Sequence, residues 1–392
     1  MIFQETKESK AIWYDEKLTV FPVYQIPLES IIYNKYNGRI KSAILSYESG
    51  RGKKLDPKNP DDKKIIENYL FESAENRNEK TLQSLKNYGQ QEIGIVTKDL
   101  IVIDGNRRSS LLNKLFREGH DVDYFKAIIL PDDLENNVIE IIKLETNYQM
   151  GVDNKVEYKP IEKYLRCKEL IEEYSVPIDE VAKLMAEKST RIIQWMSILS
   201  LMEEYLFYLD SPNVYTRLDK KEGHFVDLNN YLKQTNNNAE LKEVYFDFIR
   251  LGLPVQRIRV IGNPKDNLSL FANSGLWKPF YAEHISIKRT LIETKFQEVK
   301  NDNPEMSNEQ IFGNIDSFFK EHLFKELVNN FVQGEIAIKE LKIKVSVKIE
   351  LQKIYNFIVK INTSELYDID KEDIKILLNS IWKESQSKEN LL

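Results

Sequence analysis

Two adjacent arginines follow a glycine at the start of a predicted helix. The run IVID (101–104) predicts a strand, and the run SSLLNKLF (109–116) has the apolar spacing of a helix. Gly105 permits an unusual backbone turn between them. The first N–H groups of a helix are unpaired and carry partial positive charge, and guanidinium groups bind phosphate through parallel hydrogen bonds. The run GNRR (105–108) therefore predicts an anion site, and the alternative is a β-turn with two solvated arginines.

The segments around this run predict a mixed α/β unit. IGIV (93–96) and LIVI (100–103) are expected to form a hairpin, and DYFKAIIL (123–130) is expected to be a further strand. Residues 18–33 predict a short strand followed by a turn. The charged, Pro-interrupted run RGKKLDPKNPDDKK (51–64) predicts a surface loop.

Helices are predicted for most of the remaining chain. Thr81 is expected to cap a short helix that ends at Gly89. From about residue 157 onward the pattern is almost purely helical. The run KELKIKVSVKIEL (339–351) alternates apolar and polar residues and fits either a strand or a helix.

The overall charge excludes a uniformly basic protein that wraps nucleic acid. The chain has 56 Lys and Arg against 62 Asp and Glu, so its net charge is −6 and any such contact must come from a local patch. Cys167 is the single cysteine, which excludes an internal disulfide and favours a cytoplasmic location. No apolar run of about 18 residues is present, so no membrane partner is expected. The four histidines lie far apart, which argues against a zinc site.

Four short motifs in chain order resemble the N-terminal domain shared by ParB partition proteins and sulfiredoxins. NKYNGR (34–39) matches the Asn and Arg of the family's Asn-Pro-x-x-Pro-Arg element. The segment from Thr81 to GQ (89–90) matches a helix that ends in Gly-Gln. GNRR (105–108) matches the phosphate motif Gly-Glu-Arg-Arg. TNYQM (146–150) echoes the metal-binding Glu-Asn-x-Gln-Arg, with Glu145 one position early.

This resemblance implies a nucleoside triphosphate, CTP or ATP, bound together with Mg²⁺. The nucleotide-binding residues implied are Arg39, Thr81, Gly89, Gln90, Gly105, Asn106, Arg107, Arg108 and Asn147. The metal ligands implied are Glu145 and Asn147, and the catalytic candidates are Asp104 and Glu145.

Departures from the family motifs affect the expected chemistry. Asn106 stands where the family has a glutamate used in hydrolysis, and an amide cannot act as a general base, so slow or absent turnover is expected. Thr146 and Met150 replace the Glu and Arg of the metal motif. Sulfiredoxin activity is excluded because it needs a cysteine in the arginine loop.

Beyond this domain, ParB proteins carry a helix-turn-helix, which the segment from Val181 to Leu201 resembles. Ala182 and Ile192 fall where its two helices would meet. The region 156–204 holds seven basic and ten acidic residues, which disfavours strong binding to phosphates and leaves a helical scaffold as an alternative. Residues expected to face DNA on the second helix are Lys188, Ser189, Thr190, Arg191 and Gln194.

A basic segment occurs later in the chain. Residues 250–300 hold nine basic and four acidic residues, interleaved with Trp277, Phe280 and Tyr281. Such a stretch can follow a nucleic-acid backbone and stack bases; the alternative is a solvated face above ordinary core aromatics. Most of the DNA affinity is expected from Arg257, Arg259, Lys288 and Arg289.

The sequence thus predicts an α+β ParB/sulfiredoxin-like domain (1–152), an all-α helix-turn-helix domain (153–212) and a mainly helical C-terminal region (213–392). The predicted function is a nucleotide-responsive protein that binds double-stranded DNA as a homodimer, with a possible protein partner at the C-terminal region. One alternative is a ParB-like NTPase, kinase or nuclease of an anti-phage or mobile-element system, with Glu92 as a further candidate acid. Another is a protein-interaction module.

Overall fold

The fold is taken from a computed structural model. It describes residues 3–15, 17–73, 75–134, 136–147, 158–262, 269–308, 310–311, 324–360 and 368–389. A six-stranded sheet with helices is followed by a long helical part, so the predicted α+β class is confirmed. No described helix combines the length and the apolarity needed to cross a bilayer.

The sheet is mixed, with the strand order β1-β2-β6-β4-β5-β3. Its strands are β1 (Gln4–Tyr14), β2 (Lys17–Pro27), β3 (Ile32–Tyr33), β4 (Gly94–Val96), β5 (Ile101–Asp104) and β6 (Tyr124–Ile129). β1, β2 and β6 pair antiparallel in turn, as do β4 and β5, which confirms the predicted hairpin. β4 pairs parallel with β6, and β3 with β5.

The α-helices are numbered in chain order. Those of the N-terminal part are α1 (Lys41–Arg51), α2 (Pro60–Glu72), α3 (Glu75–Tyr88), α4 (Asn106–Arg117) and α5 (Val138–Thr146). Those that follow are α6 (Pro160–Lys168), α7 (Ile178–Leu184), α8 (Ser189–Tyr208), α9 (Glu222–Gln234), α10 (Ala239–Arg250), α11 (Val255–Gly262), α12 (Ser269–Asn273), α13 (Trp277–Lys288), α14 (Thr294–Asp302), α15 (Phe324–Lys360) and α16 (Asp368–Glu389).

Alternating strand residues bury both faces of the sheet. Val96 and Val102 belong to one core, which α1, α2 and α4 cover. Their neighbours Ile95 and Ile103 belong to a second core, which α5 covers. Successive strand residues point to opposite faces, so short apolar runs are consistent with burial on both sides.

A third core unites the helical part. It extends from Ile142 in α5 to Ile338 in α15 and includes residues of α8, α9 and α10. This core therefore continues across the predicted boundary at residue 212. That boundary, like the others, stays a prediction.

Several local predictions are wrong. The predicted loop at 51–64 is right only in part: residues 52–59 connect α1 to α2, whereas residues 60–64 belong to α2. Pro60 is the first residue of α2, a position that proline favours, and Asn59 accepts hydrogen bonds from the N–H groups that follow. Thr81 does not cap a helix but lies inside α3. Residues 339–351, whose pattern fits either a strand or a helix, are helical and belong to α15.

Candidate functional site

The turn before α4 requires glycine. Gly105 has φ +97°, a left-handed conformation that L side chains rarely adopt. A Cβ atom at this position would also lie 2.8 Å from the ring of Phe125 on β6. Only glycine meets both conditions, so the chain passes directly from the end of β5 into the first turn of α4.

Four guanidinium groups interact electrostatically at this turn, and we call Arg39, Arg77, Arg107 and Arg108 the arginine cluster. Burial lowers the pKa of Arg107 to about 10, and the positive charges of the other three arginines add to the effect. The Nη1 atom of Arg107 is buried and has no hydrogen-bond partner in the described part of the chain. An anion bound here would supply the missing acceptor and offset the repulsion.

Two members of the arginine cluster also make local contacts. The guanidinium carbon of Arg39 lies 4.4 Å from the centre of the Tyr158 ring. The Nη1 atom of Arg108 donates to the backbone carbonyl of Glu92 at 2.9 Å. Asp104 is close enough to help raise the pKa of Tyr158, although burial is the main cause. The catalytic candidate Asp104 is therefore near the arginine cluster.

Asn106 connects two backbone segments. Its amide nitrogen donates to the carbonyl of Val102 at 2.6 Å, and its Oδ1 accepts from the N–H of Asn34 at 2.9 Å. The side chain is 2% exposed. Asn106 thus holds the loop 34–39 against β5, a structural contact that the motif alone does not reveal.

Glu145 is buried among hydrogen-bond donors. Its carboxylate accepts from Arg166 at 2.9 Å, from the Asn37 amide at 3.1 Å and from the N–H of Gly38 at 3.4 Å. Burial raises the pKa of Glu145, and the positive charge of Arg166 opposes that rise. This arrangement joins the loop 34–39 to α6. Arg166 in turn donates to Glu169 at 2.8 Å.

These contacts do not favour the predicted Mg²⁺ site. Both oxygens of Glu145 already accept hydrogen bonds, and within the described ranges no three His, Cys, Asp or Glu side chains are placed to hold a metal ion. Asn147 follows α5 and is half-buried, while residues 148–150 of the motif lie outside the described residues. The metal assignment stays a prediction.

Of the other predicted nucleotide residues, Gln90 bonds to β6, whereas Gly89 and Thr81 belong to α3 and its C-terminal end. Gly89 follows α3 with φ +66°. The amide of Gln90 donates to the carbonyl of Lys126 and accepts from its N–H, both at 2.7 Å. The hydroxyl of Thr81 donates to the carbonyl of Arg77 at 3.0 Å, one helical turn away. Their predicted contact with a nucleotide is untested.

The helices α7 and α8 pack against each other, and the helix-turn-helix assignment stays a prediction. Ala182 and Ile192 are both buried. At the start of α8, Lys188, Thr190 and Arg191 are exposed.

Two predicted DNA-facing residues of α8 also make contacts within the chain. The hydroxyl of Ser189 donates to Asp179 at 2.5 Å, and Arg191 donates to Gln194 at 3.1 Å. The start of α8 therefore offers polar side chains at the surface, some of them already oriented by a neighbour.

The basic segment at 250–300 is largely paired with acids from outside it. The ion pairs are Arg257 with Glu335 at 3.6 Å, Arg259 with Asp227 at 2.6 Å, and Lys288 with Glu243 at 2.7 Å and Asp247 at 3.2 Å. Arg289 is exposed. Trp277 and Phe280 are buried in the helical core, so neither ring is available to stack on bases. DNA contact by the four basic residues stays a prediction.

Sequence reasoning missed three residues of this site. The motif identifies Asn34 by its spacing but not as a hydrogen-bond donor to Glu145, and it identifies neither Asn37 nor Arg77. Nothing in their local sequence identifies their partners, which lie on other elements. Cys167, in contrast, is the buried core thiol that its helical position indicates, and burial raises its pKa to about 12.

Comparisons with known proteins find similarity in structure alone. No protein-family model and no curated protein matches this chain. C-terminally truncated ParB from Caulobacter crescentus, complexed to the centromeric parS site, matches at 16% identity and TM-score 0.30, over 47% of this chain and 88% of its own. The same protein complexed with CTP-γ-S matches at 14% identity and TM-score 0.19, over 57% and 98%.

A Pnob8-like ParB-N domain matches at 10% identity and TM-score 0.36, over 70% of this chain and 97% of its own. All three structures are of ParB proteins, the family whose motifs the sequence resembles.

Proposed function

We propose that this chain is a ParB-like, nucleotide-responsive DNA-binding protein whose arginine cluster holds the phosphates of CTP or ATP. The observation that supports this most is the buried Nη1 atom of Arg107, which has no hydrogen-bond partner among the described residues. A buried charged donor without an acceptor is unfavourable, and a phosphate oxygen is the acceptor that a guanidinium binds best. The first N–H groups of α4 add partial positive charge at the same place.

Nucleotide binding would act on the helical part through the loop 34–39. Arg39 belongs to both this loop and the arginine cluster. The loop is fixed at Asn34 by Asn106 and at Asn37 by Glu145, whose partner Arg166 lies on α6. A shift of Arg39 toward bound phosphate would therefore change contacts that lead into the helical core.

Hydrolysis is expected to be slow or absent. The buried amide of Asn106 is no base, and the carboxylate of Glu145 is already engaged with donors. Asp104, half-buried and near the arginine cluster, and the exposed Glu92, whose backbone carbonyl accepts from Arg108, are the carboxylates that remain for the alternative NTPase, kinase or nuclease function. Rapid turnover of a nucleotide by the unmodified protein would favour that alternative.

We propose that Mg²⁺ binds together with the nucleotide, and we assign no protein ligands to it.

The nucleotide proposal is tested by thermal shift with CTP, ATP, GTP and UTP in the presence of Mg²⁺. A ligand that binds only the native state raises the melting temperature. The Arg107→Ala, Arg108→Ala double variant should fold and lose this rise. Lys58→Ala with Lys64→Ala removes the same charge from an exposed surface and should keep it. If no nucleotide stabilises the parent, or if the double variant responds like the parent, the proposal fails.

We place the main DNA contact at the start of α8. Ion pairs already hold three of the four basic residues selected in 250–300, and breaking them would offset the gain from phosphate contacts. Each phosphate neutralised by a side chain contributes about 0.9 to the salt slope of duplex binding. Replacing Lys188 and Arg191 with Gln should therefore lower the affinity and flatten the slope in a binding titration.

The matched comparison for DNA binding is the variant with Gln at Arg257, Arg259, Lys288 and Arg289. If that variant alone loses affinity, the contact lies on the later segment instead of α8. If the parent binds no duplex at low salt, the DNA proposal fails and the interaction-module alternative replaces it.

A homodimer through the C-terminal helices is also part of the proposal. Between residues 343 and 359, α15 exposes apolar side chains among polar ones, with Leu351 61% and Phe357 71% exposed, and Trp382 of α16 is 62% exposed. Helices of this kind are ordinarily buried, which favours a second copy or a protein partner. Light scattering of the parent should give a molar mass of two chains. The Leu351→Glu, Phe357→Glu double variant should give the mass of one chain. A monomeric parent would contradict the dimer.

A further inference from the structure

A polar recess lies between α8, α9 and the start of α10, away from the arginine cluster. Its volume is about 480 Å³. The polar side chains that line it include Ser197, Ser200, Glu204, Asn229, Lys233 and Lys242. Ligand pockets of small molecules have volumes of roughly 300–1,000 Å³, whereas one water occupies about 30 Å³, so the recess has room for a metabolite-sized molecule.

One side chain in this recess has an unsatisfied donor. Asn229 is 5% exposed, and its Oδ1 accepts from the hydroxyl of Ser197 at 2.7 Å. Its Nδ2 is buried and finds no hydrogen-bond partner within the described ranges. Buried amide groups are almost always paired, because an unpaired one loses its hydration without compensation. The recess therefore lacks an acceptor beside Asn229.

The charges of the lining indicate which kind of acceptor fits. Lys242 pairs with Glu204 at 2.6 Å. Lys233 is exposed at the same recess, so the lining has two basic side chains and one acidic one. A negatively charged oxygen is favoured over a neutral carbonyl in such surroundings, since hydrogen bonds to charged groups are the stronger ones.

We propose that this recess binds a small molecule bearing a carboxylate or phosphate group. One oxygen of that group accepts a hydrogen bond from the Nδ2 of Asn229, and the negative charge of the group faces Lys233. The side chains come from concave walls on three helices, which suits a small molecule better than the extended backbone of a nucleic acid.

The test is isothermal titration of the full-length protein with acetate, succinate and inorganic phosphate at constant ionic strength. Asn229→Asp keeps an acceptor for Ser197 but replaces the donor with a negative charge, so affinity should fall about tenfold or more. Asn230→Asp makes the same change at the exposed next residue and should bind like the parent. Anion binding at the arginine cluster is common to both variants, so a difference between them belongs to the recess.

A second variant guards against misfolding of Asn229→Asp. Lys233→Gln changes an exposed side chain and should also weaken binding severalfold. In the part of the binding that Asn229→Asp loses, a preference for acetate or succinate over phosphate would identify a carboxylate ligand, and the reverse order a phosphate ligand. The proposal is overturned if the parent binds none of the three probes, or if Asn229→Asp and Lys233→Gln bind them as tightly as Asn230→Asp.

Discussion

Replacing Glu145 with glutamine should strongly destabilise the fold. Glu145 and Arg166 are each 1% exposed and meet at 2.9 Å. Removing one partner of a buried ion pair strands the other charge and costs about 3–5 kcal/mol. The amide of the glutamine would also place a donor opposite the guanidinium. Because Arg166 keeps its contact with Glu169 at 2.8 Å, we expect the lower end, about 3 kcal/mol.

Thermal unfolding followed by circular dichroism measures this loss. In a domain of 150–250 residues, 1 kcal/mol changes the melting temperature by about 2–4 °C, so Glu145→Gln should melt roughly 6–12 °C below the parent. Glu140→Gln is the matched control on the same helix. The carboxylate of Glu140 pairs with Lys143 at 3.1 Å but is 48% exposed, so its loss should cost about 0–1 kcal/mol.

A third variant separates stranded charge from lost packing. Glu145→Leu combined with Arg166→Met replaces the pair with apolar side chains and should melt closer to the parent than Glu145→Gln. Glu169 keeps its ion pair with Lys41 at 2.7 Å, so no buried charge is left without a partner. If Glu145→Gln is no less stable than Glu140→Gln, the ion pair does not hold the loop to α6. A catalytic or metal-binding role for this carboxylate would then regain support.

Three further outcomes are expected. Gly105→Ala should lower the free energy of unfolding in urea by about 1–3 kcal/mol, because the substitution adds both backbone strain and a clash with Phe125. Gly119→Ala should lower it less, because Gly119 has a positive φ but open space around it. Arg107→Gln should raise the stability of the ligand-free protein by about 1 kcal/mol or less after solvent screening, since it relieves like-charge repulsion; a less stable variant would contradict the electrostatic argument. Burial alone would raise the pKa of Asp247, but contacts led by the hydrogen bond from His284 hold it below its usual value. Stability from this carboxylate is therefore present above about pH 4 and lost below it, and Asp247→Asn should flatten the decline measured by urea unfolding from pH 4 to 2.

The sequence alone was sufficient for elements whose signals are local. The hairpin of β4 and β5, the turn at Gly105 and the start of α4 depend on residues within a few positions of one another. Apolar period and glycine conformation act over that range, so they can be recognised without knowing the fold. Local signals also misled where one residue type has two uses: Pro60 was taken to interrupt structure but begins α2.

Only the tertiary structure decided which charges and amides are free. The hydrogen bonds that decide this join residues far apart in the sequence. The separation is 72 positions for Asn106 and Asn34, 32 for Arg259 and Asp227, and 45 for Lys288 and Glu243. A count of charges along the chain therefore indicated a basic segment that the fold neutralises with acids from other helices. It also gave no sign that the positive charge near Arg107 concentrates in one place. Ion pairing depends on distance in space, and the packing of helices and strands sets that distance.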